Sequence, residues 1–280
     1  MRERLCVLWV MAIVLLSITA FLCSGILVIN MTPHCNGMGN HMFRYAAGMG
    51  LIERGFDVCW SNYSWDRWRP PSHPNSFFLQ HVYDPGSIPE CSMLTGLLAL
   101  LVLPRYAPPF SHYVPFRRSG FGTLLDGPME SFRYFPIHAP KPLFRLKQRA
   151  AAERWMSIRN LTSAVHVRRG DYTECAATLE YYNSTGVKEG VVVTDDPEWV
   201  QQHPSVFGRM VISKDADPGF DMALLATATD TVVIGVGTFG WWGAYLSSAR
   251  RVIYYGKQAG YQVASNYIES DRMPDRWIKQ

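Results

Sequence analysis

The sequence predicts an α/β protein whose second half folds as a parallel sheet of Rossmann type, preceded by one amino-terminal transmembrane helix. Three observations carry that expectation. Leu5 to Ile29 is an apolar run without a charge, long enough as a helix to span ~30 Å of hydrocarbon. After Asn160 the chain alternates short apolar runs with turn and helix signals, the pattern of successive βα units. At 280 residues and 48% hydrophobic content, it is large enough for two modest lobes, or one large one, each with its own core.

Arg2 and Arg4 precede the apolar run, and no Lys or Arg follows until Arg44. The positive-inside rule then makes residues 1–4 a cytoplasmic tail, 5–29 a signal anchor, and the remainder lumenal. The run exceeds the ~7–15 apolar residues of a signal peptide, with cleavage after Ala20 as the alternative. Four of the eight asparagines, Asn30, Asn62, Asn160 and Asn183, head Asn-x-Ser/Thr sequons, which are modified only in the secretory pathway. Asn62, Asn160 and Asn183 are the expected glycosylation sites, because Asn30 lies too near the bilayer. Of six cysteines, Cys35, Cys59, Cys91 and Cys175 fall in the lumenal part, where three full pairings are open. The net charge of +4 is mild and spread along the chain, which argues against a nucleic-acid face.

Along the chain, Asn36 to Phe43 reads as a glycine-rich loop entering a helix that closes at Gly55, followed by a strand over Phe56–Trp60. Met93–Leu103 reads as a buried helix too short to span a bilayer, and Lys141–Ser157 as a helix linking two lobes. Val165–Arg168, Gly190–Val193, Arg209–Ile212, Thr231–Ile234 and Arg251–Tyr255 are candidate strands. Ala176–Tyr182, Pro197–His203, Asp221–Ala228 and Trp241–Ser248 suit helices between them.

Chemistry concentrates at two places. Val165-His166-Val167-Arg168-Arg169-Gly170-Asp171-Tyr172 puts two guanidinium forks at a strand's carboxyl edge, where open α/β sheets bind ligands. It reads as a phosphate site or as a solvated, ion-paired basic turn. Gly235-Val236-Gly237-Thr238-Phe239-Gly240 matches G-x-G-x-x-G. It lacks an acidic residue near position 260 for a ribose and sits in a late βα unit, so a dinucleotide oxidoreductase is not the expectation. Its turn still offers helix N-terminal N–H groups to a pyrophosphate. Asp195-Asp196 and Asp215-Ala216-Asp217 read as caps or solvated turns rather than metal ligands, and metal-independent chemistry is expected.

Four ordered segments resemble the galactoside 2-α-L-fucosyltransferases of glycosyltransferase family 11. His166–Tyr172 resembles their basic signature, Val193–Trp199 the following strand and turn, and Asp221–Leu225 with Ile234–Leu246 the carboxyl-terminal motif. Gly39-Asn40-His41-Met42-Phe43 matches the amino-terminal element more loosely, with Gly37 and Met38 where the family usually carries arginine and leucine.

The resemblance implies a GT-B-like architecture of two Rossmann-like lobes, an acceptor-side lobe over 30–157 and a GDP-fucose-binding lobe over 158–280. It also implies a type II Golgi membrane protein anchored through 5–29. The expected reaction is inverting transfer of L-fucose from GDP-β-L-fucose to the 2-hydroxyl of a terminal galactose, with no cofactor and no metal. Arg168 would contact the departing phosphate with Arg169 in support. Thr238 and Phe239 would open the helix holding that phosphate. His166 and Asp221 would contact the guanosine, with a helix cap as Asp221's other reading. Asn40 and His41 would bind from the first lobe, and Asp171 and His41 are candidates for the base. The alternatives are a catalytically degenerate GDP-sugar or glycan-binding protein and an enzyme using another donor.

Overall fold

The computed structural model describes residues 2–30, 37–61, 82–83, 88–107, 112–117, 120–137, 144–170, 173–213, 217–257 and 267–280. Helix α1 covers Arg2–Leu22, and Trp9, Val10, Met11, Ile13, Val14, Leu15 and Leu16 on it are all exposed. Among the described residues no helix is long and apolar enough to cross a membrane. The apolar run is also not one element. The chain breaks at Gly25, which takes φ +67°, and Leu27–Asn30 form strand β1, buried at every position. The expected 5–29 helix is therefore corrected at its end. A central parallel strand is covered on both faces and reads as a continuous apolar run, so hydropathy alone merged it with α1.

Strand β1 leads to α2 (Met38–Glu53) and β2 (Val58–Ser61), and β1 and β2 pair in parallel. The expected glycine-rich loop is a second correction. Gly37 is the N-cap of α2 and Met38–Phe43 are already helical, because Met38, Met42 and Phe43 pack into the core. Beyond β3 (Val82–Tyr83) comes α3 (Met93–Val102), capped by Ser92, whose hydroxyl accepts from the Thr95 N–H. Strands β4 (Arg105–Tyr106) and β5 (Thr123–Leu125) complete a parallel sheet in the order β2-β1-β5-β4. Cys59 on β2 is bonded to Cys91 ahead of α3. Cys175 is a free thiol, and Cys35 lies outside the described residues.

Strand β6 (Arg145–Leu146) pairs antiparallel with β3. The helix expected over 141–157 is α4 (Arg149–Ile158). The second sheet contains β7 (Ala164–Val167), β8 (Gly190–Thr194), β9 (Met210–Ile212), β10 (Thr231–Ile234), β11 (Arg251–Tyr254) and β12 (Ile278–Lys279). Five of these match the expected strands to within two residues, and β12 was not expected. Between them run α5 (Leu179–Ser184), α6 (Pro197–Gln201), α7 (Pro204–Phe207), α8 (Pro218–Thr227) and α9 (Thr238–Leu246). Helix α4 packs on α8, with Trp155 edge-on to Phe220 at 6.4 Å, and so layers the second sheet rather than merely bridging two lobes. All strand pairs in this sheet are parallel, in the order β9-β8-β7-β10-β11-β12. Counted from β7 this is 3-2-1-4-5-6, the doubly wound order whose reversal lies between its first and fourth strands.

The two sheets share one core. Phe43 of α2 lies 4.5 Å from Trp241 and 5.1 Å from Trp242, both on α9, and Phe135 stacks on Trp242 at 5.2 Å. The short helix Glu269–Arg272 closes the joint. Its Arg272 pairs with Glu130, both fully buried, and the Trp241 indole N–H donates to the Arg272 carbonyl at 2.9 Å.

A candidate anion site at the switch point of the second sheet

In a doubly wound sheet the turns on either side of the order reversal leave in opposite directions and form a crevice at the carboxyl edge; here those are the turns after β7 and β10. Arg168 follows β7 directly. After β10, Gly235–Gly237 lead into α9, with Gly237 as N-cap at φ +96° and no side chain capping the helix. Only a glycine takes that backbone without strain. The aliphatic stem of Arg168 runs alongside Gly237, where a Cβ would sit at ordinary contact distance, 4.0 Å, from its Cγ. An arginine and a helix N-terminus thus lie at one edge of the sheet, and both favour an anion.

Neighbouring strand β8 supplies the counter-charges. One Arg168 Nη lies 3.0 Å from Asp195 Oδ2, while Asp195 Oδ1 accepts the Arg169 backbone N–H at 2.8 Å. Arg169 points away from the crevice, with its Nε 3.6 Å from Asp196 and its guanidinium 4.2 Å over the Trp199 ring. Asp196 also caps α6 by accepting from the Trp199 N–H at 3.0 Å. The expected reading of Asp195-Asp196 as loop caps holds for Asp196 alone.

His166 lies beneath this edge, 4% exposed, with its ring stacked on Phe239 at 5.7 Å. Gly240 on α9 packs against that ring so tightly that a Cβ would collide with it. Burial, reinforced by Arg168, lowers the His166 pKa to about 3 and keeps the imidazole neutral. Its Nδ1 has no hydrogen-bond partner among the described residues.

The first sheet's lobe reaches the same place. The Thr238 hydroxyl donates to the Asn40 side-chain oxygen at 2.7 Å, and the Trp242 indole N–H donates to the Gly39 carbonyl at 2.9 Å. A Cβ on Gly39 would meet Thr238 Oγ1 at 2.6 Å, so the glycine is set by this docking. Asn40 and Thr238 are therefore brought together as a contact between lobes. His41 is buried beside them, and burial followed by the charge of Arg44 lowers its pKa to about 4.

Asp221 sits on the first turn of α8, and its Oδ1 accepts from the Ser213 hydroxyl at 2.5 Å at the end of β9. It is not the helix cap. Asp217 is, accepting from the Gly219 N–H at 2.7 Å, with Pro218 at the first helical position. Asp171, Asn62 and Asp215 lie outside the described residues. Asn160 is exposed at φ +52° in the turn after α4, and Asn183 is exposed on α5. Asn30 is buried and donates to Asp126 at 3.0 Å. Sequence reasoning set Asp195 aside, yet its place just after the candidate strand Gly190–Val193 was a usable signal that it lies at a carboxyl edge.

Residues 182–273 match the model of glycosyl transferase family 11. The chain is similar to a galactoside 2-alpha-L-fucosyltransferase of Caenorhabditis elegans, 27% identical over 146 residues, 42% of this chain and 39% of the relative. It is also similar to galactoside 2-alpha-L-fucosyltransferase SEC1 of Bos taurus, 32% identical over 108 residues, 31% of this chain and 29% of the relative. The matches thus span well under half of either relative. Among solved structures it is similar to the fucosyltransferase NodZ from Bradyrhizobium, 13% identical with a TM-score of 0.48, over 81% of this chain and 94% of that one. The likeness to glycosyl transferase family 11 is thus carried by residues 182–273, the part of the chain that holds most of the second sheet and the helices around it.

Proposed function

We propose that the chain transfers L-fucose from GDP-β-L-fucose to the 2-hydroxyl of a terminal galactose, with inversion and without a metal, on a GT-B-like frame of two lobes. The observation that carries this reading is that Arg168, at the end of β7, runs beside Gly237 at the start of α9, which no side chain caps. Leaving-group charge develops on the donor's β-phosphate as the acceptor hydroxyl attacks the anomeric carbon, and a fixed guanidinium and helix N-terminus stabilise that charge. Asp221, at the mouth of the same edge, suits acceptance from the guanine N1–H and N2–H. His166, neutral and packed on Phe239, supports the floor of the nucleoside site. Of the two candidates for the general base, His41 is buried away from an acceptor hydroxyl.

The test is transfer of labelled fucose from GDP-fucose to a panel of terminal β-galactosides by the full-length chain in EDTA. Arg168→Ala should lower turnover by ~10²–10³-fold, the usual effect of removing one stabiliser of developing charge. No transfer to any galactoside, or an unchanged rate in Arg168→Ala, would refute the reading. UDP- and CMP-sugars in the same assay separate another donor from GDP-fucose. A second reading, a GDP-sugar-binding protein without turnover, has one observation in its favour: Asp195 and Asp196, the carboxylates beside the two arginines, are both engaged. Calorimetric GDP binding with no transfer would select it.

We further propose that residues 1–4 lie in the cytosol, the rest of α1 in the Golgi membrane and the two sheets in its lumen. The exposed apolar faces of α1 and the Cys59–Cys91 bond, suited to an oxidising compartment, support this. Release of the chain by alkaline carbonate, or Asn160 and Asn183 without glycan in cells, would count against it.

A further inference from the structure

Two observations at the end of β7 share one cause. Gly170 lies outside the left-handed region that favours glycine, so its backbone does not demand one. Space does, because a Cβ on Gly170 would lie 2.7 Å from Asp195 Oδ2. The same carboxylate oxygen pairs with Arg168, and the other accepts the Arg169 N–H. One carboxylate therefore fixes both the turn and the side chain that leaves it. Asp196 and Trp199 meanwhile hold Arg169 to the far side, which leaves Arg168 as the arginine beside the β10 turn.

From this we infer that Asp195 is the positioning residue that aims Arg168 across the crevice at the diphosphate of a nucleotide, and that residue 170 is glycine to make room for it. The inference rests on the proposed GDP-sugar site. One oxygen of Asp195 holds the Arg168 guanidinium while the other holds the turn at Arg169, and an arginine whose position is set in advance loses less freedom when a phosphate arrives. GDP and GMP differ by the outer phosphate that the aimed arginine meets, so the two ligands together read that aim.

The experiment measures GDP and GMP affinities by calorimetry for the full-length chain, Asp195→Asn, Gly170→Ala and the double variant Asp195→Gly/Gly170→Ala, with Tm recorded for each. Asp195→Asn keeps the acceptor for the Arg169 N–H and replaces the one facing Arg168. It should leave Tm within a few degrees and lower the GDP-to-GMP affinity ratio about tenfold, the worth of one misaligned charge-assisted hydrogen bond. A merely structural defect would weaken both nucleotides together. Gly170→Ala should lower both Tm and the ratio, and the double variant should recover the Tm but not the ratio. An unchanged ratio in Asp195→Asn, or a Gly170→Ala penalty that persists without the carboxylate, overturns the inference. Failure of the unaltered chain to bind GDP would overturn the proposed function itself, which separates the two failures.

Discussion

Two neutral histidines at the joint between the lobes make the fold sensitive to acid in a way that can be apportioned. His166 and His41 are buried, with pKa values lowered to about 3 and about 4 from an unfolded value of 6.5. A base whose folded pKa is depressed takes up its proton only on unfolding, so the stability it contributes is complete above pH 6.5. That stability is lost as pH falls from 6.5 toward the folded values. Moving from pH 7 to pH 5 should cost about 2 kcal/mol per histidine and about 4 kcal/mol together, with a local slope near ~1.3 kcal/mol per pH unit for each. Urea unfolding at pH 7, 6 and 5 reads this directly. His166→Gln and His41→Gln each lower absolute stability, but each should also remove its own share of the slope, whatever the packing loss. A slope between pH 7 and 5 that is the same in the unaltered chain and in both variants would refute the reasoning, because the histidines would then already be charged in the folded state.

Glu130 and Arg272 form a fully buried pair, so Glu130→Gln or Arg272→Met alone should cost ~3–5 kcal/mol, while Glu130→Leu with Arg272→Met should recover most of the loss; calorimetric melting of the three variants checks this. Reducing Cys59–Cys91, separated by 32 positions, should cost ~3–4 kcal/mol by loop entropy, seen as a lower urea midpoint in dithiothreitol. A chain begun at residue 30 loses Leu27, Val28 and Ile29 from the centre of the first sheet. At ~1.5–3 kcal/mol for each buried side chain it should lack a cooperative melt, whereas a chain begun at Ser24 should keep one.

The second sheet was legible because each strand is a short β-branched run bounded by turn residues, and β7, β8 and β10 announce themselves in Ala164–Val167, Gly190–Thr194 and Thr231–Ile234. Their order was not legible, since a local pattern does not say which strand lies beside which. That is why Asp195 was missed, although β8 lies beside β7. Helix starts slipped by three residues at α8 and α9, where Pro218 and Thr238 open helices ahead of the first strongly apolar positions. The first sheet was nearly invisible. Strand β1 was absorbed into the apolar run before it, and β5 has only three residues. Within the site, Arg168 and the Gly235–Gly237 turn were identifiable from residue type and position. The docking of Asn40 on Thr238 was not, because it is fixed by packing across the whole chain.

That docking has a consequence for how the molecule comes into being. The Asn40–Thr238 and Gly39–Trp242 hydrogen bonds join residues 198 and 203 positions apart, and Phe43 meets Trp241 and Trp242 over a similar span. Contacts of such long sequence separation form late. During synthesis the aromatic face of α2 must wait uncovered until α9 has left the ribosome, so the earliest sheet to emerge is among the last regions to be sealed. A nascent chain halted before residue 238 should be held by chaperones through that face, and the candidate site, to which Asn40 and Thr238 both belong, is complete only once α9 has been made.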